Sequence, residues 1–190
     1  MRNTSLSSVR TALTISGAVA LAAMLALPAS TSVRGATPAP EPRAVVVFDH
    51  PEKFMDIRIW RIAADEEKDR RAVLAAFRDF IIQRAPAYLP EGYHLSITFT
   101  DMRLAGEFPP GGIGDKRVIT QHWPPVFVFS WTVTDRSGAV IKTASENLME
   151  TAFMEVYGSS LDSGPLHFER AVLDGWMREN LRMQARGGVR

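Results

Sequence analysis

An α+β fold, a mostly antiparallel sheet of about four strands with two helices packed on it, is predicted by three features of the sequence. A strong helical pattern between Asp65 and Pro86 separates two strand-like runs. An alternating segment over 126–133 and a return strand over 139–148 flank the turn string Asp135-Arg136-Ser137-Gly138, and a second apolar stripe at helical spacing closes the chain. Strands in the middle, with helices that do not alternate strictly with them, place the helices on one face of the sheet.

Residues 44–48 form a continuous apolar run, Val45-Val46-Val47-Phe48, stopped by Asp49-His50-Pro51. Its lack of alternation predicts a central strand covered on both faces. Asp65-Glu66-Glu67 supplies an N-cap and an acidic first turn, and Val73, Leu74, Phe77, Phe80 and Ile81 recur at helical spacing until Pro86 forbids continuation. This helix is the crossover between the first two strands. Pro90-Glu91-Gly92 turns the chain, and from His94 the period becomes two: Leu95, Ile97 and Phe99 on one face, Ser96, Thr98 and Thr100 on the other. That is a half-buried strand. Residues 106–116 hold Pro109-Pro110-Gly111-Gly112 and Gly114, too many breakers for a regular element, and form a long surface loop. Residues 126–133 alternate with Phe127, Phe129, Trp131 and Val133 on one face, and residues 139–148 return after the turn as the second strand of a hairpin. After a loop over 158–165, Leu173, Trp176, Met177 and Leu181 mark the second helix.

The N-terminus reads as a secretory leader. Arg2 and Arg10 precede an uncharged apolar run over 12–27 and then Pro28-Ala29-Ser30-Thr31-Ser32. Residues 1–36 are the expected signal peptide, cut between 29 and 36. A Pro-rich spacer follows over 37–43, then a single α+β domain over 44–184 and a frayed tail over 185–190. The apolar run is short for a membrane span, which takes roughly 20 residues, and no second such run follows. Removing residues 1–36 takes away Arg2, Arg10 and Arg34 but no acid. The 22 basic residues become 19 against 21 acidic ones, and the domain is acidic by two charges. The basic character of the whole chain thus belongs to its leader, and nucleic acid is not the expected partner. The expected location is the periplasm or the exterior.

With no cysteine in the 190 residues, thiolate nucleophiles, disulfides and cysteine-ligated metals are excluded. No G-x-S-x-G, H-E-x-x-H, Walker or G-x-G-x-x-G string occurs in a fitting context. His50, His94, His122 and His167 are scattered one to a structural unit, so neither a metal nor any cofactor is expected. Asp49 and Asp101 stand just past two strands expected to lie side by side, with Asp56 and Glu107 in the loops beyond. Paired acids of this kind carry acid–base chemistry in a hydrolase when their environments separate their pKa values. Strand-ending aspartates more commonly bond backbone N–H groups, and no catalytic residue is assigned. Trp131 and Trp176 lie on core stripes. Trp123, in His122-Trp123-Pro124-Pro125, fits a surface role, and Phe54 and Trp60 are placed to clamp the loop between them onto the sheet.

Several strings look like one family: Asp49-His50-Pro51-Glu52-Lys53-Phe54-Met55-Asp56, Thr100-Asp101-Met102-Arg103-Leu104-Ala105-Gly106-Glu107, Arg117-Val118-Ile119, Phe129-Ser130-Trp131-Thr132-Val133, Glu146-Asn147-Leu148 and Phe168-Glu169-Arg170-Ala171-Val172-Leu173. In them the chain resembles the bacterial secreted family catalogued as domain of unknown function 3016, over residues 45–181. Arg103 stands where that family commonly has an acid. The resemblance implies export and a shared fold, and it carries no activity, cofactor or catalytic residue. The arrangement is also similar in outline to small periplasmic modules that help assemble the envelope, a likeness of fold only.

The expected role is a non-catalytic binding or envelope-accessory domain, with a protein, glycan or lipid of the envelope as partner. A carboxylate-dependent hydrolase and a carrier of small apolar ligands are the alternatives. The expected contact region is the 105–116 loop and its surroundings: Asp101, Leu104, Gly106, Glu107, Phe108 and Trp123, with Asp49 and Asp56 as further acids.

Overall fold

A computed structural model describes residues 42–62, 65–109, 117–158 and 164–182. The expected leader, the spacer up to residue 41, the 110–116 part of the long loop and the C-terminal tail lie outside the described residues. Four strands form one sheet in the order β1 (Ala44–Phe48), β2 (His94–Arg103), β3 (Val126–Thr134), β4 (Val140–Met149). β1 runs parallel to β2, and the other two pairings are antiparallel. The helices are α1 (Glu66–Arg84), α2 (Phe153–Tyr157) and α3 (His167–Asn180).

The helix α1 begins where the sequence places it, with the Asp65 carboxylate accepting from the Lys68 amide at 2.8 Å. It ends one residue before the Ala85–Ala87 turn that contains Pro86, because proline has no N–H and its ring blocks the next turn. Val73, Leu74, Phe77 and Ile81 are its buried face. α3 buries Val172, Leu173, Trp176 and Met177. Both helices cover the same side of the sheet. Phe77 meets Phe127 edge-on at 5.9 Å, and Trp176 stands edge-on to Phe129 at 4.8 Å and to Trp131 at 5.4 Å. Aromatic pairs in this geometry add to the stability that burial alone supplies. A polar clamp joins the helices as well: Arg84 Nε and the Tyr88 hydroxyl both donate to the Asp174 carboxylate. Burial pushes Asp174 up, but the bonds from Arg84 and Tyr88 outweigh it and hold the carboxyl below its usual range.

Two expectations are corrected. β1 is an edge strand, not a central one, and Val45 and Val47 remain half exposed on the side without helices, at 50% and 47%. Branched residues suit extended backbone whether or not both faces are buried, so an unbroken apolar run does not by itself show two-sided cover. β2 does not stop before Asp101 but continues to Arg103 past a bulge between Phe99 and Asp101, so Asp101 lies within the strand. Of the two rings placed to clamp the loop, Phe54 is buried and Trp60 is 42% exposed. The short α2 is an addition to the two expected helices.

Arg43, expected as the last spacer residue, is bonded into the fold. Its guanidinium donates to the carbonyls of Leu89, Pro90 and Tyr93, which closes the turn between α1 and β2 against the start of β1.

Candidate functional site

Two irregular segments meet at the end of β2 that carries Arg103. The first leaves β1: the Asp49 amide still bonds Phe99 O, His50 adopts a left-handed conformation at φ 50°, and a one-turn 3-10 helix over Pro51–Lys53 brings Phe54 into the core against Phe48. The chain then runs beside the last residues of β2. Asp101 Oδ1 accepts from the Met55 amide at 3.2 Å and from the Met102 amide at 2.8 Å, and the Leu104 amide donates to Asp56 O at 3.0 Å. The bulge in β2 is what turns the Asp101 carboxylate toward these donors.

The second segment begins after β2. Leu104 and Ala105 are buried, Gly106 takes a φ of 74°, and its amide bonds Trp123 O at 2.8 Å. Glu107 and Val118 exchange both backbone hydrogen bonds and hold the two ends of the long loop together. Between the segments lies Arg117, whose side chain is only 7% exposed. Its five donors are all engaged: Nε on Ala105 O, Nη1 on Asp56 Oδ2 and Arg58 O, Nη2 on Leu104 O and Gly106 O. The planar fork of arginine suits such a set of fixed acceptors, which an ammonium cannot match.

The two walls enclose an open cleft of about 370 Å³. One wall presents Met55, Asp56 and Arg58, the other Arg103, Gly106, Glu107, Phe108 and Trp123. The Phe108 ring is surrounded by guanidiniums, with Arg117, Arg58 and Arg61 at 5.0, 5.7 and 5.8 Å from its centroid, and Arg103 lies 5.6 Å from the Trp123 ring. Four arginines thus stand against two carboxylates in residues 54–62, 103–109 and 117–123. Asp56 Oδ1, Arg61 Nε and Arg103 Nε are buried and have no hydrogen-bond partner among the described residues. Two of the lining residues, Met55 and Trp123, are exposed apolar side chains, at 70% and 40%.

Of the residues singled out by sequence, Gly106, Glu107, Phe108, Trp123 and Asp56 come together here. Asp101 is adjacent but occupied with backbone amides, Leu104 is core, and Asp49 stays outside on the surface beside His50 and does not line the cleft. Sequence reasoning assigned neither Arg58 nor Arg61 to the site and quoted Arg117 only within a family string; none of the three carries a periodic signal.

Glu169, likewise quoted only within a family string, did leave one. The residue falls on the apolar stripe of α3 with Val172, Leu173 and Trp176, is 3% exposed, and accepts from the Ala105 amide at 2.7 Å behind the cleft. Burial pushes its carboxyl up, against the opposing pull of the Ala105 amide and the Arg117 charge. A raised folded-state pKa means that the folded state holds the proton longer than the unfolded one. The contribution to stability is therefore full below the ordinary carboxylate range and is lost as pH rises through the raised value. Glu169→Gln keeps an acceptor for Ala105 and flattens this part of the pH dependence, whereas Glu169→Ala leaves a buried amide unsatisfied and costs about 1–3 kcal/mol. Urea titrations of the three proteins at several pH values measure both effects; parallel pH profiles for wild type and Glu169→Gln would remove Glu169 as their source.

Among the described residues no group of three histidine, aspartate or glutamate side chains is placed to hold a metal, and no helix is long and apolar enough to cross a membrane. Residues 43–179 match the family described as "Protein of unknown function (DUF3016)". No curated protein and no solved structure matches the chain.

Proposed function

Because the chain belongs to this family of proteins of unknown function, its role has to be read from its own cleft, and we propose that it is an exported, non-catalytic binding domain of the bacterial envelope. Its ligand is a carboxylate or phosphate carried on an apolar body, presented by an envelope partner. The observation that carries this reading is the pairing of Arg58 and Arg103 with the Phe108 and Trp123 rings in one opening, with Arg103 Nε buried and unpartnered. Arginine forks favour planar anions, and arginine, tryptophan and methionine around a recess are the composition of interface hot spots. Export is supported by the leader-like N-terminus.

The hydrolase reading is less well supported. The Asp101 carboxylate is committed to two backbone amides, and Asp56 is held by Arg117. An enclosed carrier pocket is likewise disfavoured by the charge and openness of the cleft.

In-cell photo-crosslinking from positions 108 and 123, read by mass spectrometry, tests the proposal. One dominant envelope adduct is expected from both positions, and Arg103→Glu reduces it roughly tenfold, the effect of about 1.4 kcal/mol of lost binding. Adducts that are diffuse, or that persist unchanged in Arg103→Glu, would overturn it.

A further inference from the structure

β4 ends the sheet, and among the described residues no strand lies along its outer side. It is ten residues long, contains no proline, and its one irregularity of pairing lies at its start, opposite Thr134. Proteins usually blunt such an edge with short strands, prolines, bulges, charged side chains or covering segments, because its free N–H and C=O groups template further pairing. β4 carries two charges, Lys142 and Glu146, four positions apart and therefore on the same face. Both are positioned by one indole: Lys142 Nζ sits 4.8 Å from the Trp131 ring, and Glu146 Oε1 accepts from Trp131 Nε1 at 3.0 Å. Among the described residues the Lys142 ammonium and the second Glu146 oxygen have no hydrogen-bond partner.

Antiparallel pairing of β4 with a second β4 has one register that uses both charges. A two-fold axis at Ala144 sets Lys142 of each copy opposite Glu146 of the other, Thr143 opposite Ser145, and Ile141 opposite Asn147. Opposite charges facing each other across a ladder stabilise it, and like charges oppose it. Any other antiparallel register separates the two pairs. The same axis continues the row Thr132–Thr143 into Ser145 and Ser130 of the second copy, since Thr132 pairs with Thr143 and Ser130 with Ser145 within each chain. The hydroxyl-bearing face of the sheet thereby extends without a break.

We infer that the protein self-associates as a two-fold dimer through β4, in the register centred on Ala144. The interface is isologous and closed, and it leaves the arginine cleft of each copy outside the pairing strands.

The absence of cysteine from the chain makes the test direct. In the inferred register residue 144 meets its own copy with Cβ atoms roughly 4.5–5.5 Å apart, within reach of a disulfide after slight adjustment. Residue 143 meets 145 instead. Under mild oxidation the purified Ala144→Cys protein should form a covalent dimer at least about tenfold faster than Thr143→Cys. Equal rates, or no covalent dimer from either, would overturn the register.

Sedimentation equilibrium supplies the second arm. The wild-type protein should be dimeric, Lys142→Glu and Glu146→Lys should each weaken the dimer, and the double reversal should restore it. If a single reversal unfolds the chain by releasing Trp131, the cysteine pair and the double reversal still decide. A wild type that stays monomeric at every concentration overturns the proposal. So does a monomer whose position 144, fitted with a photo-crosslinker in cells, captures a different chain: the edge would then belong to a foreign strand.

Discussion

Arg117→Met is expected to cost about 3 kcal/mol of stability, near the lower end of what breaking a buried ion pair costs. The substitution fills a similar volume with an apolar chain but strands the acceptors that Arg117 now satisfies: Asp56 Oδ2 and the carbonyls of Arg58, Leu104, Ala105 and Gly106. Asp56 Oδ2 would then join Oδ1, which already lacks a hydrogen-bond partner among the described residues. Arg117→Lys restores the charge but not the geometry, since three mobile donors replace a rigid five-donor fork, and less than half of the loss should return. Urea unfolding gives the stability, and hydrogen exchange at the Leu104 and Gly106 amides shows where it is lost. A wild-type midpoint in Arg117→Met would mean that the clamp contributes nothing to holding the cleft walls together.

Gly106→Ala is expected to be nearly as damaging for a different reason. At φ 74° an L side chain carries a backbone penalty of roughly 1–2 kcal/mol. A Cβ at this position would also overlap the Val118 carbonyl oxygen and approach Ile119 Cα to 2.9 Å. Both neighbours are backbone and cannot rotate aside, so the strand-like contact between Glu107 and Val118 has to open. The combined cost is on the order of 3 kcal/mol, with loss of cleft binding beyond what the stability change explains. Gly138 is the control. Its φ of 82° is similar, but nothing lies within 4 Å of a Cβ there, so Gly138→Ala bears the conformational penalty alone. Thermal unfolding of the two variants separates the terms; equal losses would show that the contact with Val118 is readily relieved.

Local signals in the chain were sufficient for most of the framework. An Asp65 cap and a Pro86 stop bound α1 without reference to anything distant, and the alternation of β2 and β3 states which of their side chains face the helices. The hairpin follows from Asp135, whose carboxylate bonds the Ser137 and Ala139 amides within the turn itself. Half of the candidate site was legible in the same way, because the loop holding Gly106, Glu107 and Phe108 declares itself by its breakers, and Trp123 by the prolines that follow it. The other wall was not. Residues 54–62 have neither helical nor strand periodicity, and they are held by Asp101, Arg103 and Arg117, some 45 to 60 positions away in the chain.

The sequence by itself determined the α+β class, the limits of α1, the hairpin, the core positions of Trp131 and Trp176 and, through its strings, the family to which the chain belongs. Each of these depends on periodicity or on contacts among near neighbours, and such information is written linearly. Tertiary structure alone decided that β1 is an edge, that Asp101 serves backbone amides, that Glu169 supports the cleft from behind, and that Arg58 and Arg103 share one opening. These depend on which distant segments meet, and a guanidinium or a carboxylate reads the same in sequence whether it faces water or a buried carbonyl.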